Sequence, residues 1–597
     1  DYLVRVKGLD FGDLPLPYAT LDAQDGPRHA VSEVPQVYLG STIDIDDDGQ
    51  PDADAGELNG GDDGDATGGD DEDGVIEPAM ISRAGIANFT VSVVNQSANT
   101  AYVYGYIDWN NDGNFDDANE VQFGTVNPNT STDLILSFNV PVNAVINTDL
   151  GARFRVGTVQ NEVDQATGFA MNGEVEDYLV RVKGLDFGDL PPNYPTTLAD
   201  NGPRHSQSET PQIYFGTTVD TEGDGQPDSD AGEINGGDAN GINDEDGIIE
   251  PTMLFRGEEA RFKVNVRNTT GQTAFIYGYI DWNNNDIFDG GAEVASATLD
   301  GSGMIELVYQ VPLNAAAYTD LGVRFRIGTV QSEVASPVGF AMDGEVEDYL
   351  IQVKALDFGD AGETFPTTDA QDGARHGVPT TPNLYFGTSE DVELDGQPDD
   401  DAGETGGGDD GNGDDEDGVS MLDASGNPTM LITCLETTMR INTVIPVGQT
   451  AYLQGWIDWN DDGDWADAGE QVAKDIALTS ANGTYYLKVK VPCDAKVTPR
   501  TFLRFRLSTV QGLSYTGFAM DGEVEDYVEV LKGLDYGDLP TKPGTALFPT
   551  TLADNGPHHV YDPTAPALTL GSNLDTDLDG TPSAFADGDD VADGMDD

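Results

Sequence analysis

Lysine and arginine are scarce in this chain. They total 27 against 109 aspartates and glutamates, a formal charge of −82. Phosphate backbones are held by clustered Lys and Arg, so nucleic acid is excluded as a partner. A charge of this size repels itself in a compact state unless counter-cations neutralise it. Cysteine is nearly absent: Cys434 and Cys493 are the whole complement, which excludes a disulfide scaffold. No run of 18 apolar residues exists, so no membrane span is expected. No stretch of helical period and length stands out, and no signal peptide is visible at Asp1.

Repetition is what the chain has. The segment DYLVRVKGLDFGDLP at Asp1–Pro15 returns letter for letter at Asp177–Pro191. Variants begin at Asp348 and Asp526, giving spacings of 176, 171 and 178 residues. Solenoid periods run roughly 20 to 50 residues, so this repeat is a domain-sized unit. Each unit has an acidic, loop-rich first half and a β-rich second half. Residues 1–6 read as the last strand of an absent sandwich. Acidic modules follow at 7–73, 183–246, 354–417 and 532–597, and sandwiches at 74–182, 247–353 and 418–531. The expectation is a window cut from a longer repetitive protein.

The second halves alternate apolar and polar residues: ANFTVSVVN, TAYVYGYIDW, DLILSFNVPV, GARFRVGTV and EVEDYLVRV in the first unit. Short strands with turns between them at this spacing predict an all-β fold of tandem sandwiches joined by acidic calcium-binding modules.

Two motifs point to calcium. The first is D-x-(D/E)-x-DG-Q-x-D. It reads Asp44, Asp46, Asp48, Gln50 and Asp52, then Asp220, Glu222, Asp224, Gln226 and Asp228. It returns as Asp391, Glu393, Asp395, Gln397 and Asp399, and as Asp575, Asp577, Asp579 and Thr581. Oxygens at positions 1, 3 and 5 aim at a common point, glycine at position 6 allows the turn, and position 7 offers its carbonyl. The glutamate expected at position 12 is missing; Glu57, Glu233 and Glu404 stand at 14. The second motif follows a strand. Its candidates are Asp108, Asn110, Asp112, Asn114, Asp116 and Glu120, then Asp281, Asn283, Asn285 and Glu293, then Asp458, Asn460, Asp462, Asp464 and Glu470. Asp286 stands where glycine belongs in the second copy, which requires a left-handed residue that Asp tolerates. Solvated acidic turns and Asx-rich hairpin loops are the alternatives.

A looser third group comprises Asp71, Asp73, Glu174, Glu176, Asp177, Asp10 and Asp13, recurring where module meets sandwich. Shared cations at this seam are one reading, and turn capping by Asp is the other. His29, His205 and His376 follow DG-x-R, and His558 and His559 end the fourth copy. No nucleophile travels with them at fixed offset, so they are read as structural anchors rather than acid–base groups. Arg153, Arg155, Arg324, Arg326, Arg504 and Arg506 alternate with core residues and are read as partners of the seam carboxylates. Cys434 and Cys493 fit a cross-strand disulfide in an oxidising space.

GEVEDY closing a β-rich unit resembles the GEVED domain of large secreted bacterial surface proteins. The preceding LDFGDLP, DGPRH, DGQPD and DDEDGV resemble the calcium-rich linker found with that domain. The resemblance covers essentially the whole chain and implies an extracellular, multi-domain surface or adhesin-like protein; it does not identify a substrate, because the family is defined by sequence and not by activity. Two functions follow. One is a stalk or filament stiffened by several Ca2+ per repeat, associated with the cell surface or matrix, with edge strands able to pair into fibres. The other is an adhesin binding a glycan or protein, with exposed aromatics unique to one unit, such as Trp456 and Trp465, as the place to look. An enzyme would need a singleton catalytic set, and the repeats contain none.

Overall fold

The computed structural model describes residues 6–43, 45–53, 55, 72–229, 231, 244–400, 402, 416–480, 483–540, 548–565, 568–569 and 576–586. The fold is nearly all β. The second unit shows the logic. Glu259–Asn268 alternates Glu, Arg and Lys outward with Ala260, Phe262, Val264 and Val266 inward, as a half-buried strand must. It carries Ile213–Phe215 and Ile248–Ile249 as antiparallel neighbours, with Gly303–Gln310 pairing along it as well. The facing sheet runs Val294–Asp300, Thr273–Ile280, Leu321–Gly328 and Glu345–Ile351. Phe262, Ile276, Trp282, Val323, Phe325, Ile327 and Tyr349 fill the space between the two sheets. The first and third units repeat this plan.

Leu321–Gly328 is buried at every position, so the alternation LGVRFRIG has two covered faces. Val323, Phe325 and Ile327 join the core. Arg324 and Arg326 point the other way and are still fully buried, because the acidic module lies over them. The module is stitched to the sandwich that follows it. Gly184–Phe187 pairs with Arg204–Gln207, which pairs in parallel with Phe340–Ala341 of the sandwich. Ile213–Phe215 crosses into the sandwich sheet itself and places both end residues in the core.

Successive units are joined by strand rather than by linker. In the third unit Glu523–Tyr536 is one strand of 14 residues, closing a sandwich and opening the next module. At the second joint Leu254–Phe255 adds in parallel to Val353–Lys354. Phe255 packs with Leu356, Phe358 and Phe518, opposite Gly377, where a Cβ would lie 2.1 Å from the Phe255 ring. At the third joint Cys434 and Cys493 form a disulfide, and Cys434 packs on Leu534 and Tyr536 of the next module. Among the described residues no helix is long and apolar enough to cross a membrane.

Candidate metal centre

Each seam is built from the same three pieces: the Asp of the opening LD(F/Y)GD strand, the D-x-(D/E)-x-DG loop, and the glutamates of GEVED. In the second unit Asp186 Oδ2 accepts from the N–H of Val346 at 2.8 Å, tying the opening strand to the closing one. Glu222 Oε2 accepts from Phe187 at 3.0 Å, and Asp244 Oδ2 from Asp220 at 2.8 Å. Glu345 Oε2 accepts from Phe215. Glu347 Oε1 accepts from Asp246 at 3.1 Å and Gly247 at 2.9 Å, and its Oε2 from the Tyr349 hydroxyl at 3.1 Å.

Six carboxylates thus converge in a buried place. Oxygens of Asp186, Asp220 and Asp244 lie within 4.8 Å of one another. In the third unit Asp357, Asp391 and Glu393 do the same. Burial, and then the charge of Asp244, hold Asp186 well above the usual carboxylate range. Burial, and then Glu347, do the same to Glu345. In the first unit burial pushes Glu176 up to about 8. An all-oxygen, all-anionic, dehydrated set is the donor chemistry of a hard divalent cation such as Ca2+.

Of the third group, Asp10, Glu174 and Glu176 take seam positions. Asp10 Oδ2 accepts from Val175 at 2.8 Å, Glu174 Oε2 from Leu39, and Glu176 Oε1 from Gly74 at 2.9 Å. Asp13 is buried, and its carbonyl accepts from Asp52 at 2.8 Å. Asp177 is the partner of a guanidinium instead. Arg153 Nε and Nη2 reach its two oxygens at 2.7 Å each, and Oδ2 also accepts from Leu14 at 2.9 Å. Asp73 caps a turn through the N–H of Ser41 at 2.7 Å and the Thr42 hydroxyl at 3.2 Å. Asp44, Asp71, Asp575, Glu57, Glu233 and Glu404 lie outside the described residues.

The loop motif divides its labour. Positions 1 and 3 face the seam: Asp220, Asp391 and Glu393 are in the clusters. Asp46 and Asp577 hold the N–H groups of Phe11 and Tyr536 at 3.1 and 2.8 Å. Position 5 turns elsewhere. Asp48, Asp224, Asp395 and Asp579 accept the N–H of Asp22, Leu198, Asp369 and Leu552 at 2.6, 2.6, 2.7 and 2.5 Å, capping a short 3-10 turn. Asp228 and Asp399 donate backbone N–H groups to the carbonyls of Asp189 and Asp360 at 2.8 and 2.7 Å, and Gln50, Gln226 and Gln397 are half-buried beside the glycine. Thr581 is exposed. The glycine at position 6 is required for a different reason than the turn. Its φ is not left-handed; a Cβ on Gly225 would lie 2.3 Å from the Thr196 carbonyl oxygen. Gly225→Ala is expected to destabilise the second module by about 1–3 kcal/mol through overpacking against backbone, read as faster hydrogen exchange over residues 196–228 with exchange in Glu259–Asn268 unchanged.

The hairpin loops also form. Asp108 Oδ2 accepts from Gly113 and from the Tyr18 hydroxyl, each at 2.8 Å, and Oδ1 from Asp112 at 3.2 Å. Asn110 Nδ2 donates to Asp112 at 3.3 Å and Asp117 at 2.6 Å, while Glu120 holds the N–H groups of Trp109 and Asp117 at 3.1 and 3.0 Å. Asn114 and Asp116 extend the chain of turns, each donating its N–H two residues back. Asp458, Asn460, Asp462, Asp464 and Glu470 reproduce this. Burial pushes Glu120 and Glu470 up to about 7. In the second unit two amides stand among the acids: Asn283 Nδ2 donates to Glu293 at 3.1 Å and Asn285 Nδ2 to Asp289 at 2.8 Å. Asp286 adopts φ +68, the left-handed conformation its position demands. Sequence spacing pointed to Asp116; the residue that closes the loop is Asp117, matched by Asp467, while in the second unit Gly290 stands at that place and Asp289, one position earlier, accepts from Asn283 at 3.4 Å and Asn285 at 2.8 Å.

The histidines are anchors. His205 Nδ1 meets the Asp343 carbonyl at 2.7 Å, so that nitrogen carries the proton, and Nε2 accepts from Arg326 Nε at 3.0 Å. Arg326 sends its remaining N–H groups to the carbonyls of Ser336 at 2.7 Å and Gly339 at 2.9 Å. His29 with Arg155, and His376 with Arg506, repeat the arrangement. Of each arginine pair, therefore, the first holds a carboxylate and the second holds histidine. The tryptophans expected to be exposed are buried. Trp456 is 3% and Trp465 2% exposed, and Trp465 lies beneath the Arg504 guanidinium at 4.6 Å with Phe365 at 4.3 Å.

Fold and seam together define a tandem array of β-sandwiches, each clasped by its own acidic module. The GEVED domain family model matches residues 102–181, 275–352 and 452–528, three times in tandem. No curated protein matches it. Among solved structures it is similar to a 1.5-MDa bacterial ice-binding adhesin at 8% identity and TM-score 0.21, covering 75% of this chain and 91% of that one. It is also similar to the calcium-binding domain CBD12 of CALX1.1 at 10% identity and TM-score 0.13, covering 46% and 96%. A β-glycosidase from Bacteroides vulgatus aligns at 9% identity and TM-score 0.15, covering 47% of this chain and 27% of that one.

Proposed function

We propose that the chain is an extracellular structural array, a stalk or filament of a bacterial surface, whose units are stiffened by Ca2+ at the acidic seams and hairpin loops. The observation that carries this reading is the seam of the second unit. Asp186, Asp220, Glu222 and Asp244 come from the module, Glu345 and Glu347 from the sandwich, and the group is buried. Without a cation, like charges in a low dielectric drive the two halves apart; with one, the same residues bind them together. The disulfide fits an oxidising, extracellular setting. Removing calcium with EDTA is expected to open the modules to proteinase K while the sandwiches still resist. Unchanged cleavage of the modules sinks the reading.

A second reading, an adhesin, draws on one exposed aromatic. Phe123 is 58% exposed, stacked on Tyr104 at 5.2 Å, whose hydroxyl accepts from Gln160 at 2.8 Å. A glycan array probed with the full chain and with Phe123→Ala tests it; equal signals remove Phe123 as a binding platform.

A further inference from the structure

Each sandwich meets the following module in one register. Ser82, Phe255 and Ile432 lie in parallel against Lys183, Lys354 and Lys532, so they hold one position in three joints. At the second joint Phe255 faces Gly377. Gly377 pairs with Leu356, as Ser206 pairs with Leu185 and Val560 with Leu534, so the same place is Ser206 in the second module and Val560 in the fourth. In the first module it is Ala30, opposite Leu9.

The largest of the three sandwich residues thus meets the one module residue without a side chain. A Cβ on Gly377 would lie 2.1 and 2.7 Å from two atoms of the Phe255 ring, far inside van der Waals contact. The walls around the ring do not discriminate. Leu356, Phe358 and Phe518 enclose it, with Phe518 edge-on at 5.0 Å. The matching residues at the first joint are Leu185, Phe187 and Phe340. Nor does the module need glycine for its own backbone. Gly377 is not left-handed, and the same strand carries Ala30 and Ser206 elsewhere. The other close atom, the Met520 carbonyl oxygen at 2.9 Å, belongs to a segment that runs beside those two residues as well.

A second contact selects by charge. Glu258, three residues past Phe255, accepts from Arg375 Nε at 2.9 Å and Nη2 at 2.7 Å. Its place is taken by Gly85 at the first joint and Leu435 at the third. The place of Arg375 is taken by Arg204, which donates to Asn201 and Gly202 of its own module, and by His558. Units this similar in tandem are prone to dock on the wrong neighbour, and look-alikes are told apart by a clash built against the wrong one.

We infer that Phe255 with Gly377, and Glu258 with Arg375, form a recognition pair that admits the third module as the neighbour of the second sandwich and rejects the others. On any other module the Phe255 ring collides with the Cβ of Ala30, Ser206 or Val560. The partner this face fits is an acidic module with glycine at that place and arginine two residues before it.

Two double-mutant cycles in the full chain test this, read by hydrogen exchange in the joint strands. Gly377→Ser alone is expected to speed exchange over residues 353–358 by about tenfold. Adding Phe255→Ser, which reproduces the residues of the first joint, restores the parent rate. Ser82→Phe alone is expected to speed exchange over residues 183–187, and adding Ser206→Gly restores it, because Leu185, Phe187 and Phe340 already provide the walls. Exchange in Leu150–Gly157 and Leu321–Gly328 stays at the parent rate throughout. A single variant that leaves its joint unchanged, or a pair that exchanges as fast as its single variant, overturns the inference.

Discussion

Replacing Arg324 with methionine is expected to destabilise the second unit by about 3–5 kcal/mol, the cost of breaking a buried ion pair from one side. Arg324 and Asp348 are both fully buried, and the guanidinium grips the carboxylate through two bonds of 2.7 Å. Arg324 Nη1 also donates to the carbonyls of Pro195 at 2.9 Å and Pro337 at 3.1 Å, so one side chain joins module, strand and loop. Truncation leaves an uncompensated charge in a site that water does not reach. Arg324→Met with Asp348→Leu removes both charges and is expected to recover most of the loss, because desolvation no longer has to be offset. Urea denaturation followed by hydrogen exchange, peptide by peptide, assigns the effect to the unit. A single variant as stable as the parent would mean that the module does not depend on this pair.

Acidification from pH 7.5 to pH 5 in saturating calcium is expected to cost about 2 kcal/mol in each of the three described units. The cause is the buried imidazole. Burial first, and then the Arg326 guanidinium, hold His205 well below its ordinary 6.5, against the pull of the Asp343 carbonyl. His29 and His376 are lowered for the same reasons by Arg155 and Arg506. Above pH 6.5 the ring is neutral in both folded and unfolded chains, and the stability of the neutral contact is fully present. Below it the unfolded chain takes a proton that the folded one refuses, so stability falls by about 1.4 kcal/mol per pH unit per ring. The seam carboxylates behave oppositely. Glu176 is raised to about 8, so in cation-free protein its contribution is fully present below the ordinary carboxylate value and lost as pH rises through 8. Calcium-saturated and EDTA-treated protein should therefore show melting temperatures that move in different directions across this range. A flat profile with calcium bound would overturn the role given to the histidines.

Much of this was legible in the residues. Period-two alternation located the strands, and two cysteines at strand ends were compatible with the disulfide that forms. GEVED carboxylates facing LDFGD were readable as a seam because they recur together. The covering of outer faces was not readable. Alternation in LGVRFRIG announces two faces, but it does not say that a module lies over the arginines, and so it cannot assign one arginine to Asp348 and the next to His205. The same blindness made Trp456 and Trp465 look exposed. Position 5 of the loop was misplaced because ligand spacing assumes all three carboxylates aim together, whereas Asp224 finds a nearer donor at Leu198. The glycine at 225 was correctly singled out for the wrong reason, a carbonyl approaching from elsewhere in the module being invisible in spacing.

The hydrogen bond from Val346 to Asp186 places the first and last strands of a unit side by side, although the two residues are 160 positions apart in the chain. Tension applied along the array would therefore pass from one unit to the next across the seam, and the sandwich would hang from that path as a closed loop. Releasing the seam under load would pay out on the order of 500 Å of extended chain per unit. In the proposed stalk, stiffness at rest and give under force would then both be set at the same handful of carboxylates.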